Sequence, residues 1–216
     1  MGTRALVREE GVDRLPRVDR RDWDLRYAGS ELIWTAEPNR FLVEEVGGLP
    51  PGRALDLAAG EGRNAIWLAE QGWKVTAVDF SDVGLAKATR LGEARGVVVD
   101  FELADLRSYL PPEGIFDLVL VFYLHLALAE LEKILRKAAL AVVPGGTILV
   151  VGHDLLNLSE GHGGPPDPEL LYTPEGIAAH LPDLVVERAE RVRRPVPTDQ
   201  GQAEAIDTLV RARRPA

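Results

Sequence analysis

A short glycine-containing segment between an apolar run and a helix-like run has the residue types of a nucleotide site. Gly60, Gly62 and Ala65 fit the spacing G-x-G-x-x-[G/A] directly after the apolar residues 54–57. Glycines in such a turn let the backbone approach a ligand closely, and free N–H groups at the start of the next helix point towards it. Asp79 follows Gly60 by 19 residues, the distance expected of an acid that binds ribose hydroxyls. The pattern predicts a nucleotide site, although an ordinary strand–helix turn can carry the same glycines.

Three acidic residues indicate the charge of the ligand. Asp56, Asp79 and Asp105 each stand at the end of a predicted strand, and the carboxyl ends of parallel strands meet at one edge of a sheet. At an effective dielectric constant near 20, a negative charge about 5 Å from a phosphate costs roughly 3 kcal/mol. The acids therefore favour S-adenosylmethionine, which is cationic at its sulfonium and ammonium groups, over a pyrophosphate-bearing dinucleotide. Asp105 is expected to accept from the adenine amine and Asp56 to face the ammonium group through water, although both also fit structural roles.

The elements predicted around this turn alternate between strand and helix. Strands are expected at 53–57, 74–78, 97–103, 116–122 and 147–151, and helices at 23–28, 37–46, 63–71, 81–95, 127–142 and 173–180. The alternation predicts right-handed βαβ units and an α/β fold with a doubly wound, mostly parallel sheet. Residues 184–192 and 205–211 are predicted to form a C-terminal antiparallel hairpin with a proline-containing loop.

One domain of this kind accounts for the chain of 216 residues, which is roughly one typical domain long. Residues 1–22 are expected to be a polar lead-in and 23–216 a single domain. Within it, 23–48 are expected to form a helical cap. Residues 153–173 form a loop that is long for a compact domain, and such loops are usually functional or disordered. We therefore expect it to act as a lid over the substrate.

The run from Asp56 to Gly62 resembles motif I of the class I S-adenosylmethionine-dependent methyltransferases. The likeness is to the small-molecule subgroup that includes tellurite-resistance and thiopurine-type methyltransferases. Matching segments are 54–65, 78–81, 116–119 and 144–147. Ala58 departs from the family, which often has glycine there, and the change is mild if its φ is negative. The resemblance implies a Rossmann-like methyltransferase fold with seven strands, the last one antiparallel, with S-adenosylmethionine as cofactor and S-adenosylhomocysteine as product.

The resemblance also implies roles for individual residues. Asp79 is expected on the ribose hydroxyls, Arg63 on the methionine carboxylate and Trp34 over the cofactor. Arg63 is otherwise a solvated residue of a first helical turn, and Trp34 otherwise fills the core. The complete predicted cofactor set is Trp34, Asp56, Ala58, Gly60, Gly62, Arg63, Asp79, Phe80, Ala104, Asp105, Leu106, Val121 and Phe122.

The acceptor is expected beside the methyl group, over the same strand ends. Tyr27, Tyr123 and His153 are the candidates for substrate binding, and His125 is the candidate general base. Tyr27 otherwise fills the core, His153 otherwise ends a strand, and His125 otherwise bonds only to backbone at a helix start. A base is optional, because an anionic acceptor needs none. No metal site is predicted, since no His and Asp spacing here fits a metal signature.

Composition bears on the remaining function classes. The net charge of −9 argues against a nucleic-acid partner, and the absence of cysteine excludes disulfides and cysteine nucleophiles. No membrane partner is expected, and the location is expected to be cytoplasmic. The hairpin arginines, Arg194 among them, are expected to be solvated or interfacial. The predicted function is methyl transfer to a small molecule by a monomer or homodimer; the alternatives are a nicotinamide-dependent oxidoreductase and a non-catalytic cofactor-binding protein.

Overall fold

A computed structural model describes residues 19–198 and 201–216. Its strands are β1 Arg53–Leu57, β2 Lys74–Asp79, β3 Asp100–Leu103, β4 Phe116–Phe122, β5 Val142–His153, β6 Val185–Thr198 and β7 Gly201–Arg213. Its α-helices are α1 Arg20–Tyr27, α2 Arg40–Val46, α3 Arg63–Glu70, α4 Asp82–Arg95, α5 Leu128–Ala141, α6 Asn157–Glu160 and α7 Pro174–Ala179. A 3₁₀ turn spans Pro168–Leu170.

The strands form one seven-stranded sheet in the order β3-β2-β1-β4-β5-β7-β6. The first five strands pair in parallel, whereas β7 is antiparallel to both β5 and β6. The predicted α/β class, the doubly wound sheet and the C-terminal hairpin are confirmed. The strand order reverses between β1 and β4, and sheets of this type bind ligands in the crevice at the carboxyl ends of such a pair.

The apolar run of β4 explains its central place. Leu118 and Val119 point to opposite faces of the sheet, and both are fully buried. One core packs around Leu55 and Val119, and the other packs around Leu118 and Leu149. Because apolar residues pack against both faces of the sheet, the carboxyl ends of β1 and β4 are held in fixed positions.

The starts of α2 and β3 differ from the prediction. α2 begins at Arg40 rather than at residue 37, because the residue before Pro38 is disfavoured in a helix. The Asn39 side chain caps this helix by accepting from the Phe41 N–H at 2.9 Å. β3 begins at Asp100 rather than at residue 97, since this edge strand has only β2 to pair with.

The strands of the second half are longer than predicted. β5 starts at Val142, so the segment 144–146, predicted as a turn before the strand, lies within it, at a register shift relative to β4. β6 continues to Thr198. Pro195 and Pro197, predicted for the hairpin loop, therefore belong to the strand. Proline has no N–H to donate to a sheet, and it is tolerated here because β6 is an edge strand.

The described residues begin near the end of the predicted N-terminal lead-in. Residues 1–18 of the predicted lead-in lie outside the described residues. Its remaining part belongs to α1, which begins at Arg20 with Asp19 as its N-cap, three residues before the predicted start at residue 23; the division of the chain at residue 22 stays a prediction. None of the helices in the described part of the chain has the length and apolar character needed to cross a membrane.

The predicted lid loop, residues 153–173, is packed onto β7. The buried side chain of Asn157 donates to the Gly163 carbonyl at 2.7 Å and accepts from the Ile206 N–H at 2.7 Å. The Tyr172 hydroxyl bonds to backbone just after β4, which ties down the far end of the loop. A role for this loop as a lid stays a prediction.

Candidate active site

Both glycines of the predicted nucleotide turn occupy positions at which a side chain would not fit. Gly60 and Gly62 have φ values of +55° and +80°, in the left-handed region that favours glycine. A Cβ atom on Gly60 would lie 2.8 Å from the Tyr27 hydroxyl oxygen, and one on Gly62 would lie 2.7 Å from the Ala88 Cβ atom. Gly60 therefore keeps the turn close to the pocket described below, whereas Gly62 lets α3 and α4 approach each other.

Ala58 also has a positive φ, of +64°. The expectation that alanine is a mild replacement there required a negative φ, and the structure overturns it. A left-handed conformation costs a non-glycine residue about 1–2 kcal/mol. This strain lies at the end of β1, beside the ligand crevice, where strained backbone is often found.

Replacing Ala58 with glycine is expected to stabilise the protein. The relieved strain exceeds the added unfolded-state entropy of glycine, about 0.5–1 kcal/mol, so the net gain is about 0.5–1 kcal/mol. Thermal unfolding followed by circular dichroism should show a midpoint about 1–4 °C higher. Ala59→Gly is the control, because Ala59 has no positive φ and its replacement should lower the midpoint. Equal losses in both variants contradict the interpretation.

Asp79 connects β2 to the glycine turn. Its Oδ2 accepts from the Gly60 N–H at 2.8 Å, and its Oδ1 accepts from the Ser81 N–H at 2.9 Å. Ser81 itself caps α4 by accepting from the Gly84 N–H at 3.0 Å, so Asp79 is not the helix cap. Burial raises the pKa of Asp79, while the backbone N–H donors oppose that rise. The spare lone pairs of its buried carboxylate are available to a ligand in the crevice.

Of the three predicted carboxylates, Asp79 lines the cavity described below, whereas Asp56 and Asp105 do not. The charge of Asp79 nevertheless acts on Asp56, and the arrangement of all three along one cleft edge stays a prediction. Asp56 is buried beneath the turn. Asp105 is about two-fifths exposed and forms a bidentate ion pair with Arg107, whose hydrogen bonds keep the pKa of this carboxyl below its usual range. Its role at an adenine ring stays a prediction.

A cavity of about 260 Å³ opens at the carboxyl ends of β1 and β4. Predicted site residues in its wall are Tyr27, Trp34, Ala58, Gly60, Arg63, Asp79, Phe80, Phe122, Tyr123, His125 and His153. Wall residues that the sequence did not predict are Trp23, Pro38, Asn39, Arg40, Ala59, Glu61, Asn64 and Arg194. Predicted residues outside the wall are Asp56, Gly62, Ala104, Asp105, Leu106 and Val121. Small-molecule sites typically measure about 300–1,000 Å³, so the cavity is narrow.

Glu61 fastens the cap segment, which we define as residues 28–39, over this cavity. Its buried carboxylate accepts from the Ile33 N–H at 3.0 Å and from the Trp34 N–H at 3.1 Å. It also pairs with Lys87 Nζ at 3.1 Å. Trp34 is 41% exposed, so it does not simply fill the core; it lies over the pocket, with the Arg63 guanidinium 5.9 Å from its ring.

A buried polar cluster forms the opposite wall. Asp207 on β7 is completely buried, and its Oδ2 accepts from the Tyr123 hydroxyl at 2.8 Å and from Arg194 Nε at 2.6 Å. His153 on β5 pairs in register with Asp207. Its Nδ1 lies 3.2 Å from Asp207 Oδ1, close enough for an ion pair but not aligned as a hydrogen bond. The cluster joins Tyr123, His153 and Arg194, which all line the cavity.

His125 stacks on His153 at the inner end of the cavity, with ring centroids 5.5 Å apart. Burial, followed by the charge of His153, lowers the pKa of His125 to about 4. The imidazole is therefore neutral at pH 7 and a weak proton acceptor. Its role as a general base stays a prediction.

Part of the chain is similar to known methyltransferases. Residues 54–146 match a family model described as a methyltransferase domain. A demethylmenaquinone methyltransferase of Thermus thermophilus is 35% identical over 125 residues, which cover 57% of this chain and 55% of that protein. A trans-aconitate 2-methyltransferase of Rhizobium meliloti is 34% identical over 125 residues, which cover 56% and 46%. The chain thus spans about half the length of the curated relatives it matches.

Solved structures share the whole fold. The structure reported for the conversion of a disulfide bond into a thioacetal group during echinomycin biosynthesis has a TM-score of 0.71 and 23% identity. The match covers 91% of this chain and 92% of that one. The resemblance to methyltransferases predicted from motif I is confirmed over residues 54–146, and the solved structure shows the likeness of the fold.

Proposed function

We propose that this chain, which carries a class I S-adenosylmethionine-dependent methyltransferase domain, transfers a methyl group from S-adenosylmethionine to a small-molecule acceptor. The proposal depends most on the pocket at the β1/β4 crevice and on two of the charged groups in its wall. One is the buried carboxylate of Asp79 and the other is the guanidinium of Arg63. Arg63 has no hydrogen-bond partner among the described residues. The two groups fit the ribose hydroxyls and the carboxylate of a single ligand.

Asp56 provides a further test of whether the site fits this cofactor. Its Oδ2 is buried and has no hydrogen-bond partner in the described part of the chain. Burial, followed by the charge of Asp79, raises the pKa of Asp56 to about 7. A buried carboxylate oxygen without a partner is unfavourable, and a ligand ammonium group offsets that cost through a bridging water. Asp56, Asp79 and Arg63 therefore fit the ammonium, ribose and carboxylate groups of S-adenosylmethionine.

Cofactor affinity is expected to depend on pH through Asp56. Below pH 7 this carboxyl is mostly protonated in the free protein, and an ammonium ligand must displace that proton. Affinity for S-adenosylhomocysteine should therefore rise up to about tenfold per pH unit from pH 5.5 to 7 and level off above. Isothermal titration calorimetry in buffers of different ionisation enthalpy measures both the affinity and the released proton. Asp56→Asn should bind without this pH dependence; an unchanged dependence assigns it to another group, such as Asp79.

The residues of this chain then mainly position the reactants. When bound, S-adenosylmethionine would supply a methyl group on a cationic sulfur; a bond from the acceptor nucleophile to the methyl carbon would form as the C–S bond breaks, with S-adenosylhomocysteine as the leaving group. Trp34, held by Glu61, covers one side of the pocket, and Tyr123 and His153 bound the other. Positioning of this kind supplies up to about 7–11 kcal/mol of a reaction barrier. His125 is the proposed base for acceptors that lose a proton, and its lowered pKa keeps it in the neutral form.

The identity of the acceptor is the finer part of the proposal. Two relatives are named for the small molecules demethylmenaquinone and trans-aconitate, which supports a small-molecule acceptor here. The net charge of −9 supports the proposed absence of a nucleic-acid partner. Membership of the tellurite-resistance and thiopurine-type subgroup, a cytoplasmic location and a monomeric or homodimeric state belong to the same proposal.

Calorimetry tests the cofactor assignment directly. The purified chain is titrated separately with S-adenosylhomocysteine and with NADH, and we expect binding of the first only. Tight NADH binding with no response to S-adenosylhomocysteine overturns the proposal in favour of an oxidoreductase. Methyl-labelled S-adenosylmethionine is then incubated with quinols, carboxylates, thiols and chalcogen oxyanions. Cofactor binding without methylation of any acceptor favours the non-catalytic alternative.

A further inference from the structure

Arg194 reaches the cavity, contrary to the expectation that it is solvated or interfacial. Its Nε donates to the buried Asp207 carboxylate at 2.6 Å and to the Tyr123 hydroxyl at 3.2 Å. Its Cζ lies 5.6 Å from the centroid of the Tyr123 ring. These contacts fix the plane of the guanidinium in the cavity wall.

The terminal NH₂ groups of Arg194 have no hydrogen-bond partner among residues 19–198 and 201–216. Other hairpin arginines use these groups: Arg193 pairs through Nη1 with Glu204 at 3.3 Å, and Arg211 donates through Nη1 to the Glu45 carbonyl at 3.1 Å. Arg194 contacts its carboxylate through Nε alone, so the outer fork of the guanidinium is unsatisfied where it meets the cavity.

A second guanidinium without a described partner lies in the same wall. Arg63 is held only beside the Trp34 ring, and its pKa is lowered chiefly by burial and in part by the positive charge of Arg194. Two neighbouring cations in one narrow cavity repel each other. Asp207 pairs with Arg194 through Nε, and Asp56 and Glu61 oppose the lowering of the Arg63 pKa through their charge. Both guanidinium groups nevertheless keep N–H donors that no residue in the described part of the chain accepts.

The two guanidinium groups have different places in the proposed reaction. Arg63 directly follows the glycine turn and is assigned above to the cofactor carboxylate. Arg194 comes from the C-terminal hairpin and lies in the polar cluster with Tyr123 and His153, the residues proposed for the acceptor. A planar fork with parallel N–H donors is suited to bidentate binding of a carboxylate or a phosphate.

We propose that the outer fork of Arg194 binds an anionic group of the methyl acceptor, so that the acceptor is a small carboxylate or phosphate ester. The inference rests on the proposed function, since the acceptor site is defined relative to the bound cofactor. Asp207 is a positioning residue in this scheme: it holds the guanidinium through Nε and does not itself line the cavity.

Three related probes test the ligand chemistry. Benzoate, phenyl phosphate and benzamide share an aromatic ring, which the aromatic wall residues Phe80, Phe122 and Trp34 suit, and they differ in head group. Each is titrated by calorimetry into protein saturated with S-adenosylhomocysteine. We expect at least one of the two anions to bind and neutral benzamide to bind at least tenfold more weakly. The stronger anion distinguishes a carboxylate acceptor from a phosphate ester.

Arg194→Gln should weaken binding of the preferred anion at least tenfold and leave the affinity for S-adenosylhomocysteine unchanged. Arg193→Gln is the matched control, because it removes the same charge from the next position of β6 and Arg193 does not line the cavity. If Arg194→Gln does not fold because Asp207 is left unpaired, the double variant Arg194→Gln/Asp207→Asn removes both charges and replaces it in the test.

The outcomes distinguish failure of the proposed function from failure of the Arg194 inference. Failure of the wild type to bind S-adenosylhomocysteine overturns the proposed function. With that binding intact, three results overturn the Arg194 inference alone: no binding of either anion, equal anion affinity in the Arg194 and Arg193 variants, or a loss of S-adenosylhomocysteine affinity in Arg194→Gln. The last result assigns Arg194 to the cofactor.

Discussion

Replacing Asp79 with alanine is expected to weaken binding of S-adenosylhomocysteine by about 1.5–3 kcal/mol, roughly 10- to 150-fold. The variant loses the proposed charge-assisted contact with the ribose hydroxyls. It also releases the Gly60 N–H, which Asp79 holds at 2.8 Å, so the glycine turn is no longer fixed to β2. Isothermal titration calorimetry at pH 8, above the region in which Asp56 titrates, isolates this effect.

Asp82→Ala is the control for the loss of one negative charge near Asp79. Asp82 lies three residues further on, is exposed in a surface ion pair with Arg20 and does not line the cavity. Its replacement should leave the affinity within about twofold. Asp79→Asn retains the size of the side chain but presents an NH₂ group to backbone donors, and it should weaken binding as well. Wild-type affinity in both Asp79 variants contradicts the ribose assignment.

Replacing Glu61 with alanine is expected to cost about 3–5 kcal/mol of unfolding free energy, as is typical when one partner of a buried ion pair is removed. Lys87 then lacks its carboxylate partner, and the Ile33 and Trp34 amides lose their acceptor. Denaturant unfolding measures the free energy, and hydrogen exchange should show faster exchange at these two amides while β1 and β4 remain protected.

Two variants sharpen this prediction. Glu61→Gln retains one acceptor oxygen without the charge, so its loss of stability should be intermediate. Glu70→Ala removes an acid from the nearby surface pair with Arg95 and should cost no more than about 1 kcal/mol. If exchange of the Ile33 and Trp34 amides is unchanged in Glu61→Ala, the cap segment is held by other contacts.

The sequence predicts most of the fold because the decisive signals are local. The apolar run of β4, the Ser81 cap of α4 and the glycine turn each depend on neighbouring residues, and the structure places all three where they were expected. The errors occur where tertiary contacts set the boundaries. β6 extends through Pro195 and Pro197 only because the strand lies at the edge of the sheet, a position that the local pattern does not reveal.

In the candidate site as well, residues close to a sequence motif were predicted and residues brought in by tertiary contacts were not. Gly60, Arg63 and Asp79 stand at fixed distances from a strand end, so spacing alone brings them together. Asp207 lies on β7 and Arg194 lies on β6. Antiparallel pairing of β7 with β5, and of β6 with β7, brings both residues to the site, and no nearby motif marks them. Glu61 stands between the two glycines of the turn and is therefore easily noticed in the sequence. Its partners, Ile33 and Trp34, are 28 and 27 residues away and cannot be inferred from spacing.

The position of β6 at the edge of the sheet affects the tendency of the protein to aggregate at high concentration. Unpaired N–H and C=O groups along an edge strand of 14 residues would otherwise template a strand from a neighbouring molecule. Pro195 and Pro197 remove two of the donors, and charged side chains on the same strand, such as the half-exposed Glu190 and Arg193, would lose solvent against a neighbouring strand. The hairpin that brings Arg194 to the cavity thereby also resists the edge-to-edge polymerisation that leads to aggregates.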